Sequence, residues 1–179
     1  MILGSIIFPM ADELLDLINI NDEVIGTGWK SEMHQKGLLH RTVIAEVIGK
    51  GRIWTLVEQA PGKQDVGQFV SAVGGHVKSG ESNEDALRRE AGEEFGLTEK
   101  FDFKYIGKRI YNREVNGNKE NHLFILYEIY SNQIPVLDSE AVGYKRFEEK
   151  ELVRALKENP AAFGAPFHFI IREFYPNLI

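Results

Sequence analysis

Residues 75–97 read Gly75-His-Val-Lys-Ser-Gly-Glu81-Ser-Asn-Glu-Asp-Ala-Leu-Arg-Arg89-Glu90-Ala-Gly-Glu93-Glu94-Phe-Gly96-Leu97. Ser82, followed three residues later by Asp85, has the form of a capping box, and Gly96 suits a C-cap. The stretch therefore predicts a loop, a helix ending at Phe95, and a second loop. Within the helix Glu90, Glu93 and Glu94 stand at i, i+3 and i+4 and share one face. Like charges at this spacing cost an isolated helix about 0.2–0.5 kcal/mol per pair. Arg89 can pair with Glu93, but one guanidinium cannot neutralise three carboxylates. A hard divalent cation can, because Mg²⁺ takes oxygen ligands in octahedral geometry. Leu87, Ala91 and Phe95 form a neighbouring apolar stripe that can hold the helix against a sheet. Gly92, inside the helix, has no explanation at this level.

Outward from this helix the chain reads as short strands and a few more helices. Leu14–Ile18 and Val24–Trp29 are expected to be strands joined at Asn21-Asp22, and Ser31–Gly37 a short turn or helix. Thr42–Ile48 and Ile53–Val57 flank Gly49-Lys50-Gly51-Arg52, a hairpin turn. Residues 61–67 are expected to form a loop and Phe69–Val73 a strand. Beyond the helix, strands are expected over Phe101–Tyr111, Leu123–Ile129 and Val142–Phe147, with 112–119 read as a loop. Helices are expected over Glu149–Glu158 and, after Asn159-Pro160, Phe167–Phe174. This mixture predicts an α/β or α+β sandwich.

Composition sets the outer bounds. The chain has 179 residues, which suits one domain, read as an extension over residues 1–11 and a body over 12–179. It has no cysteine, which removes disulfide scaffolds, thiolate metal sites and thiol nucleophiles. Asp and Glu total 27 against 21 Lys and Arg, a net charge of −6, so binding to nucleic acid is not expected. No run is long and apolar enough to span a membrane, and the apolar start lacks a basic flank, so a cytoplasmic protein is expected. Residues 1–10 could pack on their own domain or on a partner, which leaves a homodimer open.

The spacing of residues 75–97 resembles the Nudix box, G-x5-E-x7-R-E-U-x-E-E-x-G-U, where U is a bulky aliphatic residue. Gly75, Glu81, Arg89, Glu90, Glu93, Glu94 and Gly96 fill its seven fixed positions, and Ala91 is a small occupant of a U position. Seven residues at ordinary frequencies coincide by chance on the order of 10⁻⁸ per start position. A solvated acidic face is the common fate of clustered glutamates, but this context overturns that reading. The resemblance implies an α/β/α sandwich with a mixed sheet and a loop–helix–loop metal site. It implies that Glu93 and Glu94 bind Mg²⁺ or Mn²⁺ with the Gly75 carbonyl, and that Glu90 is a further ligand or the base that activates water. Arg89 would orient these carboxylates, Glu81 would pair with Arg89, and Glu140 or Glu120 would supply a further ligand.

A longer similarity, over about residues 12–175, is to the isopentenyl-diphosphate isomerase branch of that superfamily. It is carried by Gly75–Ala86, by His34–Arg41 (HQKGLLHR), by Glu120-Asn-His122 and by Pro160–Pro166. His34, His40 and His76 match the branch's metal-binding histidines, Glu120 matches one of its glutamates, and His122 replaces the other. The resemblance thus implies a second metal site at His34, His40, His76 and His122, suited to Zn²⁺ or Mn²⁺. The branch's catalytic Cys position is Gly74, which cannot transfer a proton, whereas the box glutamates are all present. The expected function is a metal-dependent pyrophosphohydrolase acting on a nucleoside diphosphate or derivative, a small-molecule diphosphate substrate. The alternatives are an isomerase without a thiol and a nucleotide-binding module that hydrolyses nothing. His168 is expected to be structural, and Trp29 and Trp54 to lie in the core.

Overall fold

A computed structural model describes residues 12–179. The expected extension 1–11 lies outside the described residues. Nine strands and four α-helices follow in the order β1 Leu14–Ile18, β2 Val24–Trp29, α1 Lys30–Lys36, β3 His40–Gly49, β4 Ile53–Gln59, β5 Phe69–Ser71, β6 Val73–His76, α2 Asn83–Phe95, β7 Asp102–Val115, β8 Asn118–Tyr130, β9 Ala141–Glu148, α3 Glu149–Glu158 and α4 Ala165–Phe174. A 3₁₀ turn at Pro160–Ala162 separates the last two helices.

β3 and β8 are the centre of a mixed seven-stranded sheet and run parallel from His40 opposite His122 to Ile48 opposite Tyr130. Both are buried along most of their length, as expected for strands covered on two faces. Alternation sends Val43, Ala45 and Val47 to one face, where they pack with Leu87, Ala91 and Phe95 of α2. Ile44 and Ile48 point to the other face, against Ile170 and Ile171 of α4. The expected α/β/α sandwich is thus formed by one acidic helix on one face and the two C-terminal helices on the other. Leu87 and Phe95 are fully buried, each contributing roughly 1.5–3 kcal/mol.

The other side of β3 is forked. Its end pairs with β4 and its beginning with β6, so the sheet splits between them. The expected strand Phe69–Val73 is accordingly two strands. β5 stays with β4, while β6 crosses to β3 and carries Gly75 and His76 in its ladder. The second correction concerns 112–119, which is no loop. β7 and β8 run together to a two-residue turn at Asn116-Gly117, both with positive φ (50° and 78°), the geometry that matches strand twist in a tight hairpin. The third concerns Trp29, which is 51% exposed, whereas Trp54 is fully buried as expected. α2 is bounded as its sequence implies. Ser82 Oγ accepts the Asp85 amide at 3.1 Å, and Gly96 closes the helix with φ 76°. A Cβ at Gly92 would meet only Leu97 O at 3.7 Å, so space does not require that glycine.

At the fork, two carboxylates face each other across the β3–β8 ladder, Glu46 and Glu128. Glu46 is fully buried and accepts the Ser71 hydroxyl at 2.6 Å; Glu128 accepts Tyr130 Oη at 2.7 Å. Burial, opposed by the Ser71 bond and reinforced by Glu128, pushes the Glu46 carboxyl from 4.5 up to about 7. A raised folded-state value means its contribution is whole below 4.5 and is lost as pH rises through about 7. Glu46→Gln should therefore be near neutral at about pH 5 and stabilising by roughly 2–3 kcal/mol at about pH 8.5. Urea unfolding at both values checks this, and a pH-independent difference contradicts it.

Candidate metal-binding site

The helix α2 reaches the sheet's open edge through one arginine. Arg89 Nε and Nη2 donate to the two oxygens of Glu81, both at 2.9 Å, and Nη1 donates to Glu90 Oε1 at 2.5 Å. Nη2 also donates to the His76 carbonyl at 2.9 Å. The i+4 partner Glu93 is more distant, 3.4 Å from Nη1, and its side chain is 59% exposed. Glu81 takes the Lys78 amide as well, at 3.0 Å. The guanidinium thus joins loop, strand and helix.

The three box glutamates do not share one environment. Glu90 is buried against the backbone of Gly75, where a Cβ would lie 2.0 Å from Glu90 Oε1. Only glycine admits the carboxylate there. Glu94 accepts the Gly74 amide at 2.7 Å, an N–H on the β6 edge that faces away from β3. Burial, opposed by that bond and reinforced by Glu90, Glu140 and Asp138, pushes Glu94 from 4.5 up to about 8. Burial also raises Glu90, against the pull of Arg89.

A cavity of about 940 Å³ runs along this edge, and its walls include Gly75, Glu90, Glu93, Glu94, His34, His76 and His122. Loop residues Lys63, Asp65 and Glu140, with Pro166 and Ile170 of α4, also line it. Glu140 forms an ion pair with Lys63, and the Glu140 carbonyl accepts the Ala60 amide at 2.8 Å. Glu120 is bonded to Arg113, a residue the sequence reading passed over.

The histidines converge. Register places His40 opposite His122 and His76 opposite Thr42, so three imidazoles share the α4 face of the sheet. α1 delivers His34 over them, its Nε2 lying 3.1 Å from His76 Nε2 and 3.4 Å from His122 Nε2. One nitrogen of each of the four lies within 4.8 Å of the others. His40 Nδ1 lies 2.7 Å from the Leu38 carbonyl, so that nitrogen carries the proton. His40 Nε2 is then a lone pair, buried and, among the described residues, with no hydrogen-bond partner. Burial above all, with the charge of Lys30 adding, holds all four below the ordinary 6.5, His40 at about 4. Neutral imidazoles are the ligand form. His168 instead contacts the Pro160 carbonyl at 2.8 Å, the structural role expected of it.

The comparisons with known proteins agree with this architecture. A family model described as the NUDIX domain matches residues 38–167, and the chain belongs to that family. An uncharacterised Nudix hydrolase of Clostridium acetobutylicum is 32% identical over 157 residues, covering 82% of this chain and 75% of that protein. Isopentenyl-diphosphate Delta-isomerase 2 of Photorhabdus laumondii is 33% identical over 121 residues, 64% of this chain and 66% of that one. A Deinococcus radiodurans crystal structure shares the fold at TM-score 0.71 and 23% identity, covering 89% of this chain and 98% of that chain. No helix among the described residues is long and apolar enough to cross a membrane.

Gly75→Ala tests the packing of Glu90. The added methyl must displace a buried carboxylate, and overpacking of this kind costs about 1–3 kcal/mol. Chemical denaturation should show that loss, and unchanged stability would mean that Glu90 relocates freely.

Proposed function

We propose that this chain is a divalent-metal-dependent hydrolase that cleaves the diphosphate linkage of a nucleoside diphosphate or derivative. The observation that carries the reading is a pair of poorly partnered carboxyl groups at the cavity edge. Glu90 is buried there and Glu94, one turn further along α2, is half-buried; among the described residues they have between them one guanidinium nitrogen and one amide. Carboxylate and carbonyl oxygens are hard donors that fit Mg²⁺ or Mn²⁺, so Glu90, Glu93, Glu94 and the Gly75 carbonyl would hold such an ion, with Glu140 as a further candidate. The four imidazoles fit Zn²⁺ or Mn²⁺ instead, and the unpartnered lone pair of His40 supports that assignment. Cations bound at these sites would offset the diphosphate charge and lower the pKa of an attacking water.

The chain's own residues supply the rest. Arg89 holds one carboxylate oxygen of Glu90, a residue of the cavity wall. A box carboxylate accepts the proton of the water whose oxygen bonds to phosphorus in line. The bridging P–O bond breaks, and its electron pair leaves with the departing phosphate.

The histidine cluster is the observation that favours a second reading, an isomerase-like enzyme without a thiol. Against it, the position of the branch's Cys is Gly74, which has no side chain to transfer a proton and gives its amide to Glu94.

Two measurements test the proposal. Glu94→Gln should lower Mg²⁺-dependent phosphate release from nucleoside diphosphates by at least a hundredfold with the circular dichroism unchanged. A change under threefold removes Glu94 from the site. The His34→Ala/His76→Ala double variant should lose the Zn or Mn that the purified wild-type chain carries, read by elemental analysis. Unchanged metal content removes the histidine site.

A further inference from the structure

The histidine cluster is adjoined by a carboxylate that does not take part in it. On β8, Glu120 stands two residues before His122 on the same face, and each is only 6% exposed. A buried carboxylate beside four metal-ligand candidates would ordinarily be a fifth. Instead it belongs to Arg113, its cross-strand partner in the β7–β8 hairpin. Arg113 Nε donates to Glu120 Oε2, and Nη2 lies 3.5 Å from Glu120 Oε1. The far edge of the same guanidinium is held in a fork, Nη1 to Asp65 Oδ1 at 2.9 Å and Nη2 to Asp65 Oδ2 at 2.8 Å. Asp65 is itself buried and also accepts the Ala165 amide, at 3.3 Å, where α4 begins.

We infer that Arg113, clamped by Asp65, withholds Glu120 from the histidine cluster and thereby sets that cluster's metal preference. The inference rests on the reading of the four histidines as a metal site. Its physical content is a choice of charge. Four neutral imidazoles leave a bound cation its full double charge, whereas a Glu120 ligand would halve it. Imidazole donors favour Zn²⁺ and the later transition metals, and an added carboxylate shifts a site toward Mn²⁺. The guanidinium cannot release Glu120 by deprotonating. Nor can it swing aside, since Asp65 engages both of its terminal nitrogens. Arg113 is thus a positioning residue, acting on the metal through a side chain it keeps away.

The test uses the full chain freed of metal and titrated separately with Zn²⁺ and Mn²⁺ against a competing chelator. Glu120→Gln alone should change the Zn²⁺ dissociation constant by less than threefold and leave the visible spectrum of the Co²⁺-substituted chain unaltered. Arg113→Met should free Glu120 and tighten Mn²⁺ at least tenfold, and adding Glu120→Gln to it should abolish that gain. A tenfold or greater loss of Zn²⁺ affinity in Glu120→Gln overturns the inference, because Glu120 would then be a ligand, and it does so whether or not Arg113→Met folds. Unchanged Mn²⁺ affinity in a folded Arg113→Met chain also overturns it. A wild-type chain that binds no Zn²⁺ at one equivalent overturns the histidine-site reading first, and the inference with it.

Discussion

The guanidinium of Arg89 is the interaction on which the rest of the site depends. It fills both oxygens of Glu81, one of Glu90 and the carbonyl of His76. Those partners lie on the loop before α2, on α2 itself and on β6. Buried charge is tolerable only when paired and hydrogen-bonded, so the pairing fixes three backbone segments relative to each other. Burial of Glu90 follows from it, and so does the glycine requirement at residue 75, because the carboxylate occupies the volume a side chain would need.

β6 then does two things at once. Successive strand residues face opposite ways, so Gly75 admits the glutamates of α2 while His76 joins the imidazoles beneath α4. The forked sheet makes this possible. Because β4 leaves β3 beyond Val47, β6 can pair with the first half of β3 and keep its own outer edge for the cavity. The Gly74 amide on that edge is what Glu94 accepts. Carboxylates and imidazoles are thereby set on either side of four residues of chain. An acidic protein, with net charge −6, concentrates part of that excess where a cation and an anionic substrate would meet.

Much of this was legible before any coordinates. The capping residues and the apolar stripe of residues 82–96 define α2 and its buried face, and the structure places them so, whereas the glutamate spacing does not tell buried Glu90 from exposed Glu93. The Glu81–Arg89 pair follows from the box, and the four histidines, scattered over 89 positions of chain from 34 to 122, were gathered only by resemblance. Their convergence depends on sheet register, which no local pattern states. The hairpin tip is a different case. Asn116-Gly117 is a strong two-residue turn signal, and counting outward from it extends β7 and β8 and pairs Arg113 with Glu120. The break at Ala72 has no such signal, since residues 69–73 remain extended and only their partners change.

The central claim is that water attacks phosphorus, and isotope labelling addresses it directly. Reaction in ¹⁸O-enriched water with Mg²⁺, across nucleoside diphosphates, diphosphate sugars, dinucleotides, coenzyme A and isopentenyl diphosphate, can be read by mass spectrometry of the products. Hydrolysis at phosphorus yields a phosphate-containing product carrying one ¹⁸O from a member of the nucleotide group. An allylic isomer of isopentenyl diphosphate, formed without label while no substrate yields labelled phosphate, would contradict it.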